Sequence, residues 1–127
     1  MTEIQHHHTL PPRLMRRVIL ESPFAGDVAA NVAYARRCIK DSLLRGEAPI
    51  ASHLLYTQDG ILNDDDRLER AHGINAGHAW LHGDLHAMVV YTDLGISEGM
   101  QCGINVAEFR RIPIEYRQLG GSCPCPI

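Results

Sequence analysis

Residues 88–107, "MVVYTDLGISEGMQCGINVA", decide the fold of this chain. Met88, Val89, Val90 and Tyr91 form a short apolar run, suited to a strand covered on both faces. Asp93, Gly95, Ser97, Glu98 and Gly99 follow where that strand must give way to a helix. Ser97 is placed to cap the helix, and the free N–H groups behind it suit an anionic ligand group. In an open α/β sheet this handover lies at the carboxyl edge, where ligands bind. A plain capped turn with Glu98 in solvent satisfies the same pattern, so the functional reading needs the rest of the chain.

Outward from that segment the pattern is regular. Arg17–Glu21 ("RVILE") reads as a first strand, followed by the loop "SPFAGD" and a helix capped by Asp27. Val28, Val32, Ala35, Ile39 and Leu43 make a single apolar stripe along that helix, and Gly46 ends it. Ala48–Leu55 ("APIASHLL") reads as a second buried strand. The acids Asp64, Asp65 and Asp66 then open a helix from Arg67 to about His82, with Leu68, Ala71, Ile74, His78 and Leu81 near one face. Gly73 and Gly77 lie one turn apart in it, which points to close packing against another backbone. His86–Thr92 is a third strand, Ser97 to about Arg110 a helix, and "IPIEYRQL" a fourth strand after Pro113.

The order βαβαβαβ implies right-handed crossovers and a parallel sheet. We therefore expect a flavodoxin-like, Rossmann-like three-layer α/β/α domain over residues 16–119, with four parallel strands in the order 2-1-3-4. Residues 1–15 are expected to form a disordered leader and 120–127 a flexible tail. The switch point between strands 1 and 3 would bring Ser22, Phe24, Gly26 and Asp27 opposite Asp93, Ser97, Glu98 and Gly99. Phe24 can stack on a planar base, Gly26 allows close backbone approach, and His53 can reach the crevice from its side.

Composition bounds the function. The chain has 127 residues, 45% of them hydrophobic, enough for one globular domain with a real core. A net charge of −3 leaves no electrostatic footprint for a nucleic acid polymer. No apolar run is long enough to cross a membrane and no signal-peptide core precedes the first strand, so a cytoplasmic address is expected. Cys38 and Cys102 read as small buried hydrophobes within helices. Cys123 and Cys125 make a poor zinc site without further ligands, and His6, His7 and His8 belong to the leader. His78 and His82 lack the glutamate of an H-E-x-x-H motif and read as packing or surface. Neither a metal nor a cofactor is expected.

The segments "ESPFAGDVAANVAYAR", "APIASHLL" and "LGISEGMQCGINVAEFRRIPIEY" together make the chain resemble the nucleoside 2-deoxyribosyltransferase-like superfamily, which includes deoxynucleoside-monophosphate N-glycosidases. It is similar to the small uncharacterised bacterial and phage branch, over roughly Arg17–Gln118. The resemblance implies a flavodoxin-like fold, a nucleoside or nucleotide pocket, chemistry at the N-glycosidic bond, and a homodimer or higher homo-oligomer. It places the phosphate or 5′ end at Ser97 and Gly99. The superfamily's nucleophilic glutamate falls at Gly103, a residue that can attack nothing. Glu98 and Asp93 are the candidate carboxylates that keep catalysis open. The alternative is a non-catalytic nucleotide sensor or sequestering module, and beyond it a structural subunit with no ligand.

Overall fold

The computed structural model describes residues 10–120. His6–His8, Cys123 and Cys125 lie outside the described residues. A single 3-10 turn at Pro12–Leu14, in the stretch expected to be leader, precedes the first strand. Strand β1 (Arg16–Glu21) leads to helix α1 (Val28–Leu44), strand β2 (Glu47–Ile50) and a short helical turn α2 (Ser52–Leu55). Helix α3 (Arg67–His78), strand β3 (Ala87–Tyr91), helix α4 (Glu98–Phe109) and strand β4 (Ile114–Arg117) complete the domain. The four strands form one all-parallel sheet in the order β2-β1-β3-β4, as expected from the alternation of strands and helices.

The two central strands explain the layering. Successive side chains of a strand point to opposite faces. Val18, Leu20, Ala87, Val89 and Tyr91 accordingly pack with Tyr34 and Cys38 of α1. Ile19, Met88 and Val90 pack with Met100, Ile104 and Ala107 of α4 on the other side. All five residues of β3 are buried, which is what an apolar run without alternation requires.

Several elements depart from the sequence expectation. The second strand stops at Ile50, and Ser52–Leu55 coils into α2. A short apolar run does not by itself separate strand from helix, and here Ala51 O accepts the N–H groups of Leu54 and Leu55. Helix α3 ends at His78, so Leu81 enters the core from the turn that follows, while Leu68 is 82% exposed. Its glycines serve contacts within the chain: a Cβ at Gly77 would lie 2.5 Å from Ser52 Oγ, and one at Gly73 would lie 3.1 Å from Leu62 Cδ1.

In α1 the buried face is Asn31, Tyr34, Ala35, Cys38 and Ser42, leaving Val28 and Leu43 exposed. The polar members are inside because each has a partner. Asn31 Nδ2 donates to Phe24 O and Ala25 O, Tyr34 Oη to Asp93, and Ser42 Oγ to Glu47. Cys102 is exposed, not buried, because α4 turns Met100, Gly103 and Ile104 toward the sheet.

A charged cluster lies by the C-terminal turns of α1. Arg117 Nη1 donates to Glu47 Oε1 at 2.8 Å, and Arg117 Nη2 to Glu115 Oε1 at 2.9 Å. Arg16 bonds both glutamates, and Tyr91 Oη joins Arg117 to Asp41. Burial opposes ionisation of Glu47, but hydrogen bonds from Arg117 and Ser42 overcome it and hold its carboxyl below the usual range. Arg117→Met would break the buried pair and leave Glu47 to the half-exposed Arg16 and to Ser42, and the expected loss is about 3–5 kcal/mol in urea denaturation. Glu115→Gln, at a half-exposed position, should change stability by about 1 kcal/mol or less. The Glu47 contribution is complete above the unfolded carboxyl's pKa and is lost as pH falls through the lower folded one.

Candidate functional site

A cavity of about 450 Å³ opens at the carboxyl edge of the sheet. The end of β1 brings Glu21 and Ser22 to it, and the loop after β1 adds Phe24, Ala25 and Gly26. The turn after β2 supplies Ser52, His53, Tyr56 and Thr57. Helix α3 supplies Arg70, Gly73, Ile74 and His78, and α4 opens onto the cavity with Ser97, Glu98, Gly99 and Met100.

Local sequence explains this placement. Asn31 reaches back from α1 to two carbonyls of the "SPFAGD" loop, and Gly26 turns that loop at a φ of +100°. Ser97 caps α4, its Oγ accepting the N–H of Met100 at 3.2 Å. The N–H groups of Glu98 and Gly99 have no preceding helical turn to bond and stand at the positive end of the α4 dipole.

Of the residues singled out from sequence, Ser22, Phe24, Gly26, His53, Ser97, Glu98 and Gly99 all line this cavity. Asp27 and Asp93 are not among its lining residues. Asp27 caps α1 by accepting the N–H of Ala30 at 3.2 Å. Asp93 accepts the Tyr34 hydroxyl at 2.6 Å and the Leu119 N–H at 3.0 Å. Burial works against its ionisation, yet those bonds hold the carboxyl below the usual carboxylate range. Asp93 thus ties β3, α1 and the end of β4 together.

Glu21 was not anticipated. It follows Ile19 by two residues and so shares the α4 face of β1. There it meets Gly103: a Cβ on that glycine would lie 2.6 Å from Glu21 Oε2, and 3.6 Å from the Met88 methyl. Burial pushes the Glu21 carboxyl up to about 8, with no cation or hydrogen bond among the described residues opposing it. At neutral pH it is mainly a protonated acid. The signal was present in the strand period, which turns an acidic residue inward at the carboxyl edge.

Beside it, Ser22 Oγ lies 2.8 Å from His53 Nε2. Burial pushes the His53 imidazole down to about 4, so it is neutral across the physiological range. These two titratable groups at the inner wall are therefore both uncharged at pH 7. Among the described residues no group of three or more His, Cys, Asp or Glu side chains is arranged to hold a metal ion, and no helix is long and apolar enough to cross a membrane.

Compared with known proteins, residues 16–117 match the family described as "Domain of unknown function (DUF7768)", and the chain belongs to that family. Neither a curated protein nor a solved structure matches the chain.

The raised pKa of Glu21 carries a stability consequence. Between about 4.5 and about 8 the folded chain keeps a proton that the unfolded chain has released, so stability falls as pH rises through that window. Glu21→Gln removes the ionisable group at nearly constant shape. Denaturation at pH 8.5 should find the variant more stable than the parent by roughly 0.5–2 kcal/mol, the range typical of a single stabilising substitution. The gap should close toward pH 5.

Proposed function

For this member of the DUF7768 family we propose a nucleoside or nucleotide pocket, of the nucleoside 2-deoxyribosyltransferase-like kind, acting at the N-glycosidic bond. The observation that carries this reading is a cavity at the sheet's switch point that joins the N-terminus of α4 to the Phe24–Gly26 loop. Its volume falls within the range of small-molecule sites, roughly 300–1,000 Å³. Phe24 offers a ring to a planar base. Ser97 and the first-turn N–H groups of α4 offer donors to a phosphate or a 5′ oxygen. Glu98 lines the same cavity as a carboxylate for a sugar hydroxyl, whereas Asp93 is engaged elsewhere.

A second reading is favoured by one residue. Gly103 stands where the resemblance puts a nucleophilic glutamate, which fits a sensor or sequestering module that binds without reacting.

Thermal-shift screening with deoxynucleosides, ribonucleosides, their 5′-monophosphates and free bases tests the pocket. At least one class should raise the melting temperature, and chromatography for released base then separates an enzyme from a binder. Ser97→Ala should weaken a 5′-monophosphate roughly fivefold in titration calorimetry, the loss of one hydrogen bond worth about 1 kcal/mol. If millimolar concentrations of every class leave the melting curve unmoved, the reading is wrong.

A further inference from the structure

We propose that Glu21 is a catalytic acid of this cavity, its carboxyl lodged against Gly103 of α4 and facing the space where an N-glycoside would bind. The inference rests on the nucleotide-pocket reading and names a reacting group that neither the sequence pattern nor the family description assigns.

Three observations converge on it. First, Glu21 ends the central strand and lines the cavity, so its carboxyl reaches ligand space from within the sheet and not from a solvated loop. Second, its treatment differs from that of the carboxylates that hold the fold together. Glu47 is held by two arginines and a serine, and Asp93 by a tyrosine hydroxyl and a backbone N–H, while Glu21 has only burial acting on it among the described residues. Third, α4 carries a glycine at the contact. Glycine weakens a helix interior relative to alanine, and here a methyl group would collide with the carboxyl oxygen at 2.6 Å. Alanine at position 103 with an apolar residue at position 21 would satisfy packing better on both counts. The arrangement gives up stability to keep a protonated carboxyl at the cavity wall, the mark of a functional group.

The chemistry balances with water as the only co-reactant. As the C1′–N bond breaks, its electron pair passes to the base nitrogen, which takes the Glu21 proton. A water oxygen bonds to C1′ and gives a proton back to the Glu21 carboxylate. Base and free sugar leave, with no change of oxidation state. General acid assistance of this kind typically contributes about 10²–10⁴ in rate. The other titratable groups lining the cavity are His53, Tyr56, Asp64, Glu69, Arg70, His78 and Glu98.

The test compares the parent with Glu21→Gln, Glu21→Asp and Gly103→Ala, using the four common deoxynucleoside 5′-monophosphates as probes. Binding is read by calorimetry and turnover by chromatography of released base. Glu21→Gln should bind within about threefold of the parent and lose at least about 100-fold in kcat. Glu21→Asp, which keeps an acid, should recover part of that loss, as a merely structural role would not. Gly103→Ala should lower kcat through displacement of the carboxyl. Parent kcat should fall as pH rises through about 8, and the residual rate of Glu21→Gln should lack that limb. Turnover by Glu21→Gln within about threefold of the parent, against the loss expected of a general acid, overturns the assignment and leaves the pocket reading intact. Binding by the parent without base release overturns it in favour of a sensor. Failure of the parent to bind any of the four probes removes this assignment, and the pocket reading falls with it only if ribonucleosides, their monophosphates and free bases also leave the melting curve unmoved.

Discussion

Strands β1 and β3 have apolar neighbours on both sides, and this double burial governs the rest of the molecule. Each residue of a central strand must suit one helical layer or the other, so the period of two assigns Val18 and Leu20 to α1 and Ile19 to α4. The same period turns the last residue of β1 toward α4, whatever its chemistry. Burial of roughly 25 cal/mol for each Å² of apolar surface makes a register slip prohibitive, because every inward residue would change face. A carboxyl at position 21 is thereby held under α4 by the packing of residues that never touch a ligand.

Parallel strands also decide where the cavity lies. With β1 and β3 adjacent, the chain leaves them in opposite lateral directions, and the loops after their carboxyl ends diverge. The space between holds Phe24 and Gly26 on one side and Ser97 and Gly99 on the other. Polar residues of α1 fix the walls. Asn31 holds the first loop by two carbonyls, and Tyr34 holds Asp93 at the end of β3. The helix face that looks imperfectly apolar is the one that positions the site.

The parts of the fold legible in the sequence are those set by long periods and strong caps. The central strands, the Asp27, Asp66 and Ser97 caps, and the strand order follow from apolar runs and crossover handedness. The parts that were not legible depend on partners distant in sequence. Ala48–Leu55 is apolar in most of its length, and only pairing with Arg16–Ile19 shows that it stops being strand at Ile50. Hydrophobicity alone does not give the buried face of α1, because Ser42 and Asn31 are inside through their bonds to Glu47 and the loop after β1. Seven of the nine residues proposed for the crevice do line it, since the switch-point rule depends on topology alone. Glu21 does not stand out in the sequence because a terminal acid on a strand ordinarily faces solvent, and its contact with Gly103 spans most of the chain.

Two glutamates show how the same domain handles a carboxyl in opposite ways. Glu47 is buried among guanidinium groups and a hydroxyl, which replace the water it has lost and keep it ionised. Glu21 is half-buried against Gly103 of α4, where no cation or hydrogen bond among the described residues replaces the water it has lost, and it keeps its proton instead. The first solution stabilises the fold and leaves no capacity for chemistry, because both carboxylate oxygens are engaged. The second leaves a donor facing a cavity, next to an imidazole held neutral by the same loss of solvent. A ligand that presents a nitrogen lone pair to Glu21 would find a proton there at neutral pH, whereas the ionised Glu47 has none to give. The difference between an ionised and a protonated carboxyl in this chain is therefore set by what packs beside it, and at position 21 that neighbour is a glycine.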